Sequence, residues 1–250
     1  IKKILSDLGD GLTINDAMAR NVGSLQRLDA EFSDYARKHA GEFGSKADWS
    51  REGLPEQGDL QVWQAWIKQY PGNYWGLRKT AEAYVAAEEF EHARVTLEKL
   101  QELETFTGER GDPLELLSVV CRKLGDQQAE QAALETRVSM ASDALPSLRR
   151  LIELSRGQKD WDAMKKYANN VIAINPLLPE GHDALADAAE QQGDPADAVP
   201  ALRALASMDP VDPALIDYRM ANAFRKLGQR TQSRHHVLRA LLEAPRYRDA

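Results

Sequence analysis

The chain has 250 residues, 43% apolar and 28% charged, with a formal net charge of −7 and one cysteine. That composition supports a packed core and excludes intrinsic disorder, while a single thiol excludes an internal disulfide framework and a CxxC metal or redox pair. The acidic balance argues against a general nucleic-acid binder, and no apolar run approaches the roughly 20 residues that a membrane-spanning helix requires.

Residues 1–40 read as a small helical segment. Ile4, Leu5 and Leu8 make a short amphipathic turn closed by Gly9 and Gly11. Thr13 has the chemistry of a helix N-cap, with Asp16 three residues on. Ser24 then caps a longer helix that places Leu25, Leu28, Phe32, Tyr35 and Ala36 on one face. Residues 41–60 are rich in Gly, Ser, Pro and charge and read as a linker. Trp63, Trp66, Ile67 and Tyr70 form an amphipathic helix that Tyr70-Pro71-Gly72 ends, and a repeat domain is expected over residues 61–250. The chain opens at Ile1-Lys2-Lys3 with neither an initiator Met nor an apolar signal core, and is expected to be part of a longer protein. Its compartment is therefore not fixed by the sequence.

A period then takes over. Asn175-Pro176 and Asp209-Pro210 are 34 residues apart, and Ala244-Pro245 follows 35 further on. Asp160 and Asp194 are also 34 apart, and Leu227-Gly228 follows Gln192-Gly193 by 35. Each unit is an apolar-periodic stretch, a Gly or polar break, a second such stretch, then Pro. Glycine just past a helix supplies a left-handed C-cap, and proline blocks continuation of the second helix. The spacing predicts five helix pairs: 73–87 with 90–104, 113–124 with 127–141, 145–156 with 160–174, 179–192 with 196–208, and 213–227 with 230–243.

The pattern resembles the tetratricopeptide repeat (TPR) family, whose 34-residue unit carries W-x2-L-G-x2-Y, then A-x3-F, then P. The residues that match are Ala81…Tyr84 with Phe90, Ala93, Leu97 and Leu100; Leu185-Ala186…Ala189 with Gly193, Ala198, Leu202, Leu205 and Pro210; and Met220-Ala221…Phe224 with Leu227-Gly228, Val237, Ala240 and Pro245. Met164 and Ala168 exchange the small and large positions in the third unit, and the second unit lacks the closing proline. Over residues 73–245 the resemblance implies an all-α, right-handed α-α superhelix, with Tyr84, Phe90, Trp161 and Phe224 as core aromatics and neighbouring repeats burying each other's apolar faces. Residues 1–40 resemble the closing helices of gluzincin-type (peptidase MA-like) zinc-peptidase domains through Ile4-Leu5…Leu8…Gly11, Asn15-Asp16-Ala17 and Leu28…Glu31-Phe32…Tyr35. That resemblance implies an alternative role for the chain, as the C-terminal accessory portion of a zinc-dependent peptidase whose catalytic domain lies upstream.

No catalytic constellation is legible. The metallopeptidase signature His-Glu-x-x-His needs Glu after His, and none of His39, His92, His182, His235 and His236 is followed by Glu. His235 and His236 are adjacent on a helix and point apart; all five are expected on the surface. Cys121, among Val119, Val120 and Leu124, reads as a buried inert thiol. Phosphate-loop, GxGxxG and GxSxG signatures are missing. The chain is expected to have no enzymatic activity and no cofactor.

In TPR arrays the first helices of successive units line a concave groove, with side chains 4 and then 3 residues apart pointing into it. Carried onto this sequence, that geometry selects Arg78, Glu82 and Val85; Glu115, Val119 and Arg122; Arg149, Glu153 and Arg156; Asp183, Asp187 and Glu190; and Tyr218, Asn222 and Arg225. The groove so drawn is polarised, because residues 177–213 hold eight acids against Arg203 while residues 214–250 hold eight bases against three acids. Asp183 and Asp187, like charges at i and i+4, disfavour an isolated helix by about 0.2–0.5 kcal/mol. Two things could offset this: inter-repeat ion pairs from Arg149, Arg156 and Arg225, or a basic or extended peptide lying along the acidic stretch. The expected partner is an unidentified protein or peptide, with neither nucleic acid nor a membrane. The mode that grips a C-terminal carboxylate through Lys and Asn is not expected, since Asn222 has no Lys partner on these faces. Val237, Leu238, Leu241 and Leu242 on the last helix suggest weak self-association.

Overall fold

The computed structural model of the chain describes residues 1–42, 44–103, 105–106 and 111–245; among them are fourteen α-helices and no β-strand. The helices group into two compact units, Ile1–Ala83 with Glu98–Phe106, and Tyr84–Leu97 with Thr107–Ala250.

The first unit holds α1 (Lys2–Gly9), α2 (Ile14–Val22), α3 (Leu25–Glu42), α4 (Leu60–Gln69) and most of α5 (Tyr74–Ala86). Thr13 caps α2 as expected, accepting the Asp16 N–H at 3.2 Å and donating its hydroxyl to Asp16 Oδ2 at 2.6 Å. Helix α3 buries none of its described residues, and Phe32 and Tyr35 stay exposed on its apolar stripe. Residues 44–59, whose composition marks a linker, are tied to the start of α5. The Asp48 N–H donates to the Gly72 carbonyl at 2.9 Å, and the Tyr74 N–H donates to the Asp48 carbonyl at 2.8 Å. Asn73, 1% exposed, is the hub: its amide donates to Asp48 Oδ2 and the Ser50 carbonyl, and its oxygen accepts the Gly76 N–H. Trp49 stacks on Tyr74 and the Arg51 guanidinium lies 3.8 Å from the Trp75 ring centroid, a cation–π contact. Gly76 is required by the approach of α4, because a Cβ there would sit 2.3 Å from Trp66 Cδ1.

The predicted helices appear as α5 and α6 (Phe90–Glu102), and as the pairs α7 (Pro113–Lys123) with α8 (Gln127–Met140), α9 (Leu145–Gln158) with α10 (Trp161–Ile174), α11 (Pro179–Gln192) with α12 (Pro195–Ala206), and α13 (Pro213–Lys226) with α14 (Arg230–Glu243). Bounds agree with the periodicity within two residues, and residue 104, the expected end of α6, lies outside the described residues. The turn chemistry explains this accuracy. Glu88, Gly125, Lys159, Gly193 and Gly228 all have φ between 58° and 74°, so each first helix ends through a left-handed residue. Asp126, Asp160 and Asp194 then cap the second helices by accepting backbone N–H groups two or three residues on. Prolines open α7, α11, α12 and α13, where the missing N–H leaves no bond unmade.

Stacked apolar faces hold the second unit together. One core contains Leu148, Leu151, Met164, Tyr167, Ala168, Val171, Ala184 and Ala188; the next contains Ala186, Ala189, Ala198, Leu202, Ile216, Met220 and Phe224. Helix α11 serves both cores through alanines on two sides, which lets flanking helices come close. The exchanged Met164 and Ala168 are both fully buried, as volume conservation allows. Of the four expected core aromatics only Phe224 is buried; Tyr84, Phe90 and Trp161 are half-buried. Tyr84 instead stacks on His92, and Lys123 lies over the Phe90 ring. Cys121 is buried as expected. His236 departs from the expected surface placement: its Nδ1 lies 2.7 Å from Oδ1 of the buried Asp217, and its ring stacks on Phe224. A polar residue here is drawn inward because Asp217, 4% exposed, needs partners, and Arg239 supplies another at 3.3 Å.

Several carboxylates acquire partners on folding. The Tyr167 hydroxyl holds Glu135 below the ordinary carboxylate range, and the Ala129 N–H together with Arg94 does the same for Asp126. Burial pushes Glu180 upward, but its bonds to Arg149 and to its own backbone N–H outweigh this and lower it. A carboxylate lowered on folding stabilises the fold at pH above its unfolded value and loses that contribution as pH falls through its folded value. Thermal midpoints followed by circular dichroism should therefore change little between about pH 7 and 5.5 and fall steeply below about pH 4. Glu135→Gln should shallow that acid limb.

Candidate docking face

The thirteen charged and polar residues selected from the first-helix register fall in both units. Arg78 and Glu82 lie in the first unit and pair with each other at 3.1 Å, and the Arg78 guanidinium also donates to the Tyr74 hydroxyl. The other eleven lie in the second unit. Arg122 approaches the buried Glu130 at 4.0 Å, and Glu153 pairs with Arg150 at 2.9 Å.

The acidic helix α11 is flanked on both sides by arginines. From α9, Arg149 donates Nε to Glu180 at 2.9 Å and Arg156 donates Nε to Asp187 at 2.8 Å. From α13, Arg219 donates to Asp183 at 2.6 Å and to Glu190 at 3.0 Å. The like-charge pair Asp183 and Asp187 is thus split between cations of two different repeats. The expected role of Arg225 goes to Arg219 instead: Arg219 stands 36 residues after Asp183 and 29 after Glu190 and meets both, while Arg225 lies six residues or about 9 Å further along the helix.

Tyr218, Asn222 and Arg225 share one stripe of α13 and, with Glu190 and Gln191 of α11, border a cleft of about 400 Å³. The size is within the range of ligand-binding clefts, about 300–1,000 Å³. Lys226 also lines it, a residue that the 4-then-3 register passes over because it stands one position beyond Arg225. Arg225 donates to Asn222 Oδ1 at 3.2 Å. Among the described residues neither Arg225 nor Lys226 forms an ion pair, whereas Arg219 and Glu190 neutralise each other in the cleft wall. Arg246, Tyr247 and Arg248, which the sequence adds to this basic end, lie outside the described residues.

Among the described residues no group of three His, Cys, Asp or Glu side chains is arranged for a metal ion, and no helix is long and apolar enough to cross a membrane.

Paired antiparallel helices, left-handed turns at one-repeat intervals and a shared apolar seam make this a tetratricopeptide-repeat fold, an all-α helical repeat. Among solved structures the chain is similar to YrrB, a TPR protein with an unusual peptide-binding site, at 13% identity and a TM-score of 0.54, over 76% of this chain and 96% of that one. It is also similar to MamA from AMB-1, at 16% identity and a TM-score of 0.52 over 68% of this chain and 91% of that one. A second MamA structure aligns at 15% identity with a TM-score of 0.50, over 66% of this chain and 94% of that one. No protein-family description and no curated protein sequence matches the chain.

Proposed function

We propose that the chain is a protein-interaction scaffold that docks a peptide or an extended protein segment on the first-helix face of its second unit, across α11 and α13. One observation carries this reading: a cleft of about 400 Å³ opens on the predicted stripe and is bordered by Tyr218, Asn222 and Arg225. An aromatic ring, a carboxamide and a guanidinium in one line offer apolar area and directional hydrogen bonds together, the combination that fixes a peptide's position and register. The fold shared with YrrB, which has a peptide-binding site, supports it. The ion pairs from α9 through α11 to α13 hold the walls in place, which limits the ordering that binding requires.

Selection of displayed random 12-residue peptides on the immobilised chain tests the proposal. Enriched sequences should bind in solution by fluorescence anisotropy, and Tyr218→Ala with Asn222→Ala should weaken them at least tenfold. Lys165→Ala, on α10, should leave affinity within about twofold, since neither it nor its partner Asp197 on α12 borders the cleft and Asp197 is exposed enough to resolvate. Failure to enrich any peptide, or equal loss from both variants, would overturn the reading.

A further inference from the structure

Resting on that docking reading, we infer that the cleft between α11 and α13 selects an acidic segment, one presenting Asp or Glu side chains, and not the basic peptide that the run of acids in the sequence suggests. The acids on this face are already matched: Glu180 and Asp187 by Arg149 and Arg156, Asp183 and Glu190 by Arg219. An incoming cation would have to displace arginines that are covalently held in place, with no gain in the number of pairs. The cleft itself carries Glu190 against Arg219, Arg225 and Lys226, so its lining is positive.

The donor inventory has the same sign. Arg225 has five N–H donors and no acceptor, and Lys226 has three donors and none. The Asn222 oxygen is engaged by Arg225, which leaves the carboxamide its N–H donors for a ligand. A lining rich in donors and short of acceptors calls for a ligand rich in acceptors, and a carboxylate beside a guanidinium makes two parallel charge-assisted bonds. Arg225 and Lys226 are both exposed, so approach by a flexible acidic segment is unobstructed and is steered by charge.

The test uses the same displayed library, sorted by charge. Peptides enriched on the full chain should carry a net negative charge. Arg225→Glu with Lys226→Glu should weaken the best of them at least tenfold and shift a fresh selection toward Lys- and Arg-containing sequences. Both positions are exposed and outside the core, and a milder pair, Arg225→Gln with Lys226→Gln, should give an intermediate loss with an unchanged melting curve. Raising sodium chloride from 50 to 500 mM should weaken the acidic peptide and leave an uncharged analogue nearly unaffected. Enrichment of basic or neutral peptides whose affinity ignores both double variants would overturn this inference while leaving the docking reading intact. Absence of any enriched peptide would overturn both.

Discussion

Arg150→Ala is expected to destabilise the second unit by about 3 kcal/mol, the lower end of the range for stripping one partner from a buried ion pair. Glu130, on α8, is 2% exposed, and Arg150 of α9 grips both of its oxygens, at 2.7 and 3.1 Å. Without Arg150 the carboxylate stays buried, with Arg122 at 4.0 Å as its remaining cation among the described residues, which is why the lower end applies. The reverse change, Glu130→Gln, leaves a half-exposed guanidinium that water can reach and should be milder. Replacing both residues by leucine should recover much of the loss, because the penalty comes from an unmatched charge and not from a missing bond. Urea titration followed by circular dichroism measures this. A single variant within about 0.5 kcal/mol of the parent would show that the pair has no such role.

Leu151→Ala should remove about 3–4 kcal/mol, within the span measured for buried leucines that leave a cavity. Leu151 is fully buried in the core that also contains Leu148, Met164, Tyr167 and Val171. Gly181 closes that core tightly: an added Cβ would sit 2.8 Å from Ile172 Cγ1 and 3.2 Å from Val171 Cγ1. A seam packed this closely has little freedom to collapse around the vacated volume. Because repeats in a stack support only their neighbours, the loss should concentrate locally. Hydrogen exchange should therefore quicken most in α8 to α11, and least in α14. Uniform quickening along the chain would instead show that the second unit opens as one block.

The pairs α9/α10 and α11/α12 were legible because each boundary has its own chemical mark: a left-handed residue at 159 or 193, an Asp cap just after it, and a proline following the second helix. These marks act through backbone geometry, so they survive in a sequence with only 13% identity to a TPR protein of known structure. The stripe of Tyr218, Asn222 and Arg225 was legible for the same reason, since position on a helix follows from counting. The partners were not. Which arginine meets Asp183 depends on how far α13 slides along α11, a property of packed side chains such as Ala186, Ala189 and Met220 that no period records. Lys226 borders the cleft one residue off that register. The buried Asn73 amide has no mark in the sequence, because its partners Asp48 and Ser50 lie more than 20 residues away in the Gly- and Ser-rich stretch that reads as a linker. His236 hid in a similar way, its burial following from an aspartate on the preceding helix.

The most direct measurement is residue-resolved hydrogen exchange of the full chain with and without a selected peptide at saturating concentration. Exchange should slow in α11 and α13 around Glu190 and at Tyr218 to Lys226, with α12 and α14 unchanged. Protection on the second helices, or on α3 of the first unit alone, would contradict the docking reading.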